Sequence, residues 1–173
     1  MVRLKYKKGI SLIELMTVVT IMGIISLGVV LFSSKAMHFF RLTEAKIEVQ
    51  RDARICLNIM NKQIKQAKAS TIVIDKLNTS QPPYSRIYFE TIKGTTVQYY
   101  QDGTELKQAV TKPGGATKVS ILTKNLRYVF FVYPRTDNDS ILHISICLEK
   151  IPYPYVKGAK ALQLSVEKVR IMN

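Results

Sequence analysis

A long apolar run near the start of the chain constrains its fold more than any other feature. Residues 10–32 read ISLIELMTVVTIMGIISLGVVLF and contain one charged residue, Glu14. As a helix that rises about 1.5 Å per residue, the run would span roughly 35 Å, which is enough to cross a hydrocarbon core of about 30 Å. A core helix of a soluble protein would rarely need so long a stretch without a polar face. The run therefore predicts one membrane-spanning helix.

The flanking charges indicate the orientation of this helix. The preceding segment, MVRLKYKKG at residues 1–9, has four basic residues and no acidic one, which favours a cytoplasmic N-terminus. Basic residues such as Lys35 and Arg41 also follow the run, so the contrast is modest. A secretory signal cleaved near Ala36 is the alternative, but its apolar region is typically only about 7–15 residues long. We therefore expect a stable anchor with the C-terminal part outside the cytoplasm.

The junction between the leader and the run carries two residues that need an explanation. Gly9 ends the basic leader, and Glu14 lies inside the apolar run that begins at Ile10. Ser11 and Glu14 have the spacing of a capping box, and an acid in the first turn complements the helix dipole. That local role does not explain the glycine, or an acid within hydrocarbon, where it costs a few kcal/mol.

This junction resembles the class III signal of the type IV pilin and pseudopilin superfamily, in which a short basic leader ends in Gly and a Glu is the fifth mature residue. The matching residues are KKGISLIEL, from Lys7 to Leu15. The resemblance implies that prepilin peptidase cleaves between Gly9 and Ile10 and N-methylates Ile10. It also implies that Glu14 pairs with the amine of Ile10, in the same or a neighbouring subunit, during filament assembly.

The helix is predicted to continue beyond the membrane as an amphipathic half. No proline precedes Pro82, and no glycine lies between Gly28 and Gly94, so residues 33–69 contain no strong helix breaker. Apolar residues recur there at spacings of three and four, which predicts one buried face. These are Val49, Ala53, Cys56, Leu57, Met60, Ile64 and Ala67.

The C-terminal part has the period of two that is typical of strands. We predict strands at 84–92, 95–101, 104–110, 119–122, 125–134, 141–149 and 161–171. Asp102-Gly103 predicts a hairpin, and the apolar residues on both faces of 125–134 predict a central strand. The sixth strand is expected to place Leu142, Ile144, Ile146 and Leu148 on one face and His143, Ser145 and Cys147 on the other. In the seventh strand, Leu162, Leu164 and Val166 are expected to face inward.

These elements predict an α+β fold, with the amphipathic half-helix over an antiparallel sheet of five to seven strands. With the long N-terminal helix this layout resembles the lollipop shape of pilins. The expected organisation is a leader at 1–9, a transmembrane or filament-core helix at 10–33, an amphipathic half-helix at 34–69 and a globular β-sheet domain at 70–173.

Within the superfamily, the chain is most similar to the J-type minor pseudopilin of type II secretion and the W-type minor pilin of type IV pili. The helix from Gln50 to Leu57 carries the similarity, while the tail VRIMN has two residues more than the usual Arg-Asn ending. The resemblance implies a subunit of a hetero-oligomeric filament, in its initiating tip complex. It also implies an assembly platform in the bacterial inner membrane, membrane lipid around the helix and a periplasmic C-terminal domain.

Other functions have weaker signals. No catalytic or nucleotide-binding motif occurs, and His38 and His143 are far apart in sequence, so we expect neither enzymatic activity nor a cofactor. The net charge of +14, with tyrosines beside Arg86 and Arg127, leaves a DNA-binding competence pilin as an alternative. Scattered cations are more typical of solvated surface or of attraction to anionic lipid.

Two further features have plain interpretations. Cys56 is expected on the helix core face and Cys147 on the polar side of a strand, which does not favour a disulfide between them. Asp137-Asn138-Asp139 is typical of a turn, with calcium binding as the less favoured alternative. A signal-anchored periplasmic domain unrelated to filaments also remains open as an interpretation of the whole chain.

Overall fold

The computed structural model describes residues 11–135, 140–153 and 160–172. Its order is a helix, a short 3₁₀ turn (Ala69–Thr71) and eight strands, which confirms the α+β class. The chain divides into two compact units, Met1–Arg41 and Leu42–Asn173. The elements are α1 (Leu12–Ile64), β1 (Val73–Asp75), β2 (Arg86–Glu90), β3 (Thr96–Asp102), β4 (Glu105–Thr111), β5 (Thr117–Thr123), β6 (Leu126–Val132), β7 (Ile141–Lys150) and β8 (Ala161–Arg170).

The amphipathic part of α1 supplies one wall of the core in the second unit. All seven residues of the predicted apolar face are buried, and Ala45 extends that face by one further turn. The helix ends at Ile64, but Ala67 stays buried and forms an isolated bridge with Thr91. The predicted apolar face is therefore confirmed, but the helix ends at Ile64 and not at Ala69 as predicted.

Five strands form one antiparallel sheet in the order β1-β2-β3-β4-β5. The predicted hairpin joins β3 to β4, but Asp102 is the last paired residue of β3, opposite Glu105. The two loop residues are Gly103 and Thr104, and Gly103 has a positive φ of 58°. Glycine at the first loop position is the pattern of a type II′ turn, so the turn lies one residue later than predicted.

The remaining three strands form a second antiparallel sheet in the order β6-β7-β8. The described residues therefore form eight strands in two sheets, where the sequence predicted five to seven in one. The additional strand, β1, has only three residues, which is too short for a pattern of period two to identify. In β7, the alternation is confirmed, since Leu142, Ile144, Ile146 and Leu148 are all fully buried.

The prediction that β6 is a central strand is wrong, because β6 lies at the edge of its sheet. The backbone edge of β6 that does not pair with β7 is nevertheless hydrogen-bonded, to the segment before β2 and to the turn between β3 and β4. The N–H of Phe131 donates to the Tyr84 carbonyl at 2.9 Å, and the N–H of Leu126 donates to the Thr104 carbonyl at 2.8 Å. One apolar face of β6, with Leu126, Val129 and Phe131, packs into the core, and the opposite face, with Tyr128, Phe130 and Val132, is half-buried.

The Gln101 side chain joins the two sheets. Its Oε1 accepts a hydrogen bond from the N–H of Val129 at 3.3 Å, and its Nε2 donates to the carbonyls of Arg127 at 3.2 Å and Gly103 at 3.0 Å. The amide thus takes the place of a peptide group along the free edge of β6. The residue is only 7% exposed, so these bonds satisfy groups that have little access to water.

The predicted inward face of β8 is also wrong. Leu162, Leu164 and Val166 are about half exposed, at 49%, 51% and 52%. The register explains the error, because the buried Ile146 and Leu148 of β7 lie opposite Ser165 and Gln163. Residues opposite one another share a face of the sheet, so Gln163 and Ser165 face the core, between the buried Ala161 and Val169, and the three predicted inward residues face away.

Replacing Gln101 with Ala is expected to lower the free energy of unfolding by about 2 kcal/mol, because buried backbone groups of β6 would lose their partners. Denaturation of the full-length protein in mild detergent, followed by circular dichroism, measures this change. Gln98→Ala on the same strand is the control, because Gln98 is half-buried and makes no side-chain hydrogen bond to the described residues. Equal effects of the two substitutions would contradict the bridging role of Gln101.

Candidate functional site

The start of α1 lies where the capping pattern predicted it. The helix begins at Leu12, and the carbonyl of Ser11 accepts the N–H groups of Glu14 at 3.0 Å and Leu15 at 3.1 Å. Ser11 thus occupies the N-cap position and Glu14 the third helical position, where a carboxylate complements the helix dipole. The predicted cleavage and methylation residues, Gly9 and Ile10, lie outside the described residues.

Glu14 is the one charged residue of the predicted membrane run. Within the described part of the chain, no basic side chain lies within ion-pair distance of its carboxylate. The two nearby hydroxyl groups are satisfied within the helix, since Thr17 Oγ1 donates to the Glu14 carbonyl and Thr20 Oγ1 to the Met16 carbonyl, both at 2.8 Å. The carboxylate is therefore the only charged group that this part of α1 would bring into hydrocarbon.

Between Leu12 and Phe32, large apolar side chains lie around the full circumference of α1. Large apolar side chains from Leu12, 77% exposed, to Phe32, 74% exposed, make no buried core of their own. By length and composition, α1 can cross a membrane. Gly23 and Gly28 lie within the helix and do not interrupt it. An all-apolar helix surface of this kind needs hydrocarbon or other helices around it, because it has no polar face for water.

The two cysteines are free, and both are buried. Burial raises the pKa of the Cys56 thiol to about 12, so this thiol stays protonated and unreactive at neutral pH. The prediction for Cys147 is wrong in part: the residue lies on the face of β7 opposite the core residues, but it is only 1% exposed. Its cross-strand neighbour Tyr128 covers it, and Cys147 raises the pKa of the Tyr128 phenol.

The described residues form no metal-binding cluster, and the two arginines considered for DNA contact are paired with carboxylates. Among residues 11–135, 140–153 and 160–172, no group of three or more His, Cys, Asp or Glu side chains is placed to hold a metal ion. The predicted turn at Asp137-Asn138-Asp139 lies outside the described residues. Arg86 forms an ion pair with Asp75, and Arg127 pairs with Glu149 at 3.1 Å. The two arginines named for DNA contact thus already have carboxylate partners.

A comparison with protein families gives one match. Residues 4–30 match the family model described as the prokaryotic N-terminal methylation motif. A comparison with curated proteins gives no match. The matched segment contains Gly9, Ile10 and Glu14, so the predicted class III signal of the type IV pilin family is confirmed for this part of the chain. The match does not extend to the β-sheet unit, and the J-type or W-type assignment stays a prediction.

Membrane insertion of α1 can be tested with two methionines that are similarly exposed. Met22→Lys places a cation near the centre of the apolar run, where it is expected to weaken insertion by about 3 kcal/mol. The variant should be released from membranes by alkaline extraction, while the wild type stays in the pellet. Met37→Lys is the control, because Met37 lies beyond the run; Met22 is 67% exposed and Met37 is 62% exposed. Retention of both variants would contradict a membrane span centred near Met22.

Proposed function

We propose that this protein is a type IV pilin or pseudopilin subunit of the bacterial inner membrane, matured by prepilin peptidase and assembled with other pilins into a filament. The observation that carries the proposal is the methylation motif at residues 4–30, which leads directly into a helix that can cross a membrane. The α+β fold, with its amphipathic helix segment packed on antiparallel strands, agrees with a pilin-like architecture.

Maturation would change the charge at the start of the helix. The basic leader keeps the N-terminus cytoplasmic, where prepilin peptidase hydrolyses the peptide bond between Gly9 and Ile10. Hydrolysis leaves a carboxylate on Gly9 and an amine on Ile10, and the amine then receives a methyl group. A methylated amine keeps its positive charge, so the mature helix begins with a cation at the boundary of the hydrocarbon.

Glu14 is the natural counterion of that amine. It lies four residues after Ile10, about one helical turn or roughly 6 Å along the axis. Both charges are costly in a low-dielectric medium, and pairing lowers the cost of burying them together. An amine from a neighbouring subunit can serve equally well and would fix the axial stagger between subunits. Before cleavage the amine is absent, so processing would permit assembly.

The narrower proposal is that the chain is a non-catalytic minor subunit in the initiating tip complex. It is supported by the similarity at Gln50 to Leu57, where the structure buries Ala53, Cys56 and Leu57 and exposes Arg51 and Arg54. The expected partners are the inner-membrane assembly platform and the sister subunits. Such a subunit would serve either a type II secretion system or a type IV pilus.

Two alternatives predict different behaviour. A DNA-uptake pilin would bind DNA through unpaired cations, with an affinity that falls steeply with salt. The ion pairs of Arg86 and Arg127 weaken the original argument for it. A signal-anchored domain unrelated to filaments would keep its leader and would have no need of Glu14.

The N-terminal peptide of the protein from its native cells tests the central proposal. We expect the mature chain to begin at Ile10 and to carry one methyl group on its amine, as measured by mass spectrometry. Replacing Gly9 with Val should leave the full leader in place, because the residue before the cleaved bond would be altered. A native chain that begins at Met1, or one trimmed near Met37, would show that the protein is not a processed pilin.

Glu14 tests the assembly step separately from processing. In Glu14→Val the leader should be removed normally, but the protein should be lost from the sheared filament fraction and remain in the membrane, because the new amine has no counterion. Thr17→Val is the matched control, since it removes a polar group one turn further along but no charge. Normal incorporation of the Glu14→Val protein would argue against the charge-pairing role.

A further inference from the structure

The strand β8 has an inverted pattern of polar and apolar residues. At the centre of the strand the core-facing residues Gln163, Ser165 and Glu167 are half-buried, between the buried Ala161 and Val169, and Glu167 accepts a hydrogen bond from the Asn61 amide of α1. The residues on the opposite face, Leu162, Leu164 and Val166, are about half exposed. A solvent-facing edge strand would normally have the reverse pattern, with polar residues outward. The inversion indicates that another protein surface covers the outward face of β8 in the functional state.

The edge of β8 that faces away from β7 has unpaired backbone groups. The N–H of Ile171 donates to the Ser140 carbonyl at 2.8 Å, which fixes the alternation of hydrogen bonds with β7. By that alternation the N–H and C=O groups of Leu164, Val166 and Lys168 point away from β7. No strand among the described residues pairs with this edge. The side-chain amide of Gln163 donates to the Leu164 carbonyl at 3.2 Å.

The charges on the outward face of β8 indicate which side chains a binding segment would need. The outward row continues past Val166 to Lys168 and Arg170, neither of which has an acidic partner in the described part of the chain. Lys160, at the other end of the strand, is already paired with Glu149. A matching segment would therefore be apolar opposite the centre of β8 and acidic opposite Lys168 and Arg170.

A second copy of β8 does not meet this requirement. If Leu164 of two copies faced each other in an antiparallel pair, Lys160 of each would lie opposite Lys168 of the other. If Ser165 faced itself, Arg170 would lie opposite Lys160, and Lys168 opposite Leu162. Both of these registers place a cation against a cation, which is destabilising in a cross-strand pair. A third register, with Val166 facing itself, places Lys168 opposite Leu164 and Arg170 opposite Leu162. The outward row of β8 has no acidic residue, so no symmetric register gives these cations a counterion.

We propose that β8 is a docking strand for a different subunit, whose extended segment adds to the free edge. Backbone hydrogen bonds would pair the segment with Leu164, Val166 and Lys168. Its alternate apolar side chains would cover the outward face, and an acidic side chain would pair with Lys168 or Arg170. The proposal rests on the proposed function only in naming the partner as another subunit of the same filament.

Photo-cross-linking of the full chain in its native cells tests this contact. With p-benzoylphenylalanine in place of Val166, we expect a cross-link to a strand-like segment of a different protein, with apolar residues at alternate positions and an acid near one end. The same residue in place of Val119 is the control. Val119 is 53% exposed on β5, the edge strand of the other sheet, and should give no such product.

Other products would overturn the proposal: a cross-link to a second copy, one to residues 154–159 of the same chain, or none at all. The N-terminal peptide of the same sample shows whether the leader has been removed. A processed chain without the expected cross-link defeats the docking strand alone, whereas an unprocessed chain defeats the proposed function.

A proline pair tests the backbone contribution. In Val166→Pro the lost N–H points away from β7, so the strand pairing inside the subunit should persist while the added strand loses a hydrogen bond. We expect loss of co-purification with the partner that the cross-link identifies. Val119→Pro is the control. Asp102 and Glu105 close the β3–β4 hairpin as a hydrogen-bonded pair, and counting the alternation from this pair places Val119 opposite Ala109 in a non-hydrogen-bonded pair. The Val119 N–H therefore points away from β4, as the Val166 N–H points away from β7. Unchanged co-purification of the Val166→Pro protein, or equal loss in both variants, would overturn the proposal.

Discussion

The burial of one helix face, from Ala45 to Ile64, holds the second unit together. Both sheets contribute to the core cluster that this face completes, with Phe89 and Tyr99 from the five-stranded sheet and Phe131 and Ile146 from the three-stranded sheet. Neither sheet has a second layer of its own among the described elements, so each depends on the helix for the burial of its apolar face. Loss of packing along the helix would therefore destabilise both sheets at once.

Polar contacts supplement this packing at defined points. The Tyr99 hydroxyl donates to Gln63 Oε1 at 2.8 Å, and Gln108 Nε2 donates to the same oxygen at 2.9 Å, so one helix residue is bonded to two neighbouring strands. Burial raises the pKa of Tyr99, which keeps the phenol neutral and able to donate. Gln101 has a comparable role between the sheets. Such bonds fix which residues face each other, whereas apolar contact alone is less directional.

The reliability of the sequence predictions follows from how local the signal is. The methylation motif and the amphipathic period of α1 are contained in continuous segments, and both were identified correctly. The edge position of β6 follows from the order of strands in its sheet, and the facing of β8 depends on its register with β7. A pattern of period two cannot choose between the two faces when the strand's polar residues are the ones that pack inward. Gly9 and Ile10 remain predictions from sequence, because they lie outside the described residues.

The two wrongly predicted strands, β6 and β8, differ in whether the rest of the chain satisfies them. The backbone edge of β6 is hydrogen-bonded within the chain, so this edge needs no further strand. The apolar face of β8 has no cover among the described residues, and the same is true of α1 up to Phe40. Each of these surfaces is costly to leave in water, and they call for different neighbours. The first part of α1 has no free backbone groups along its length and fits hydrocarbon or other helices, whereas β8 also presents unpaired N–H and C=O groups, which only another strand can satisfy in a regular way.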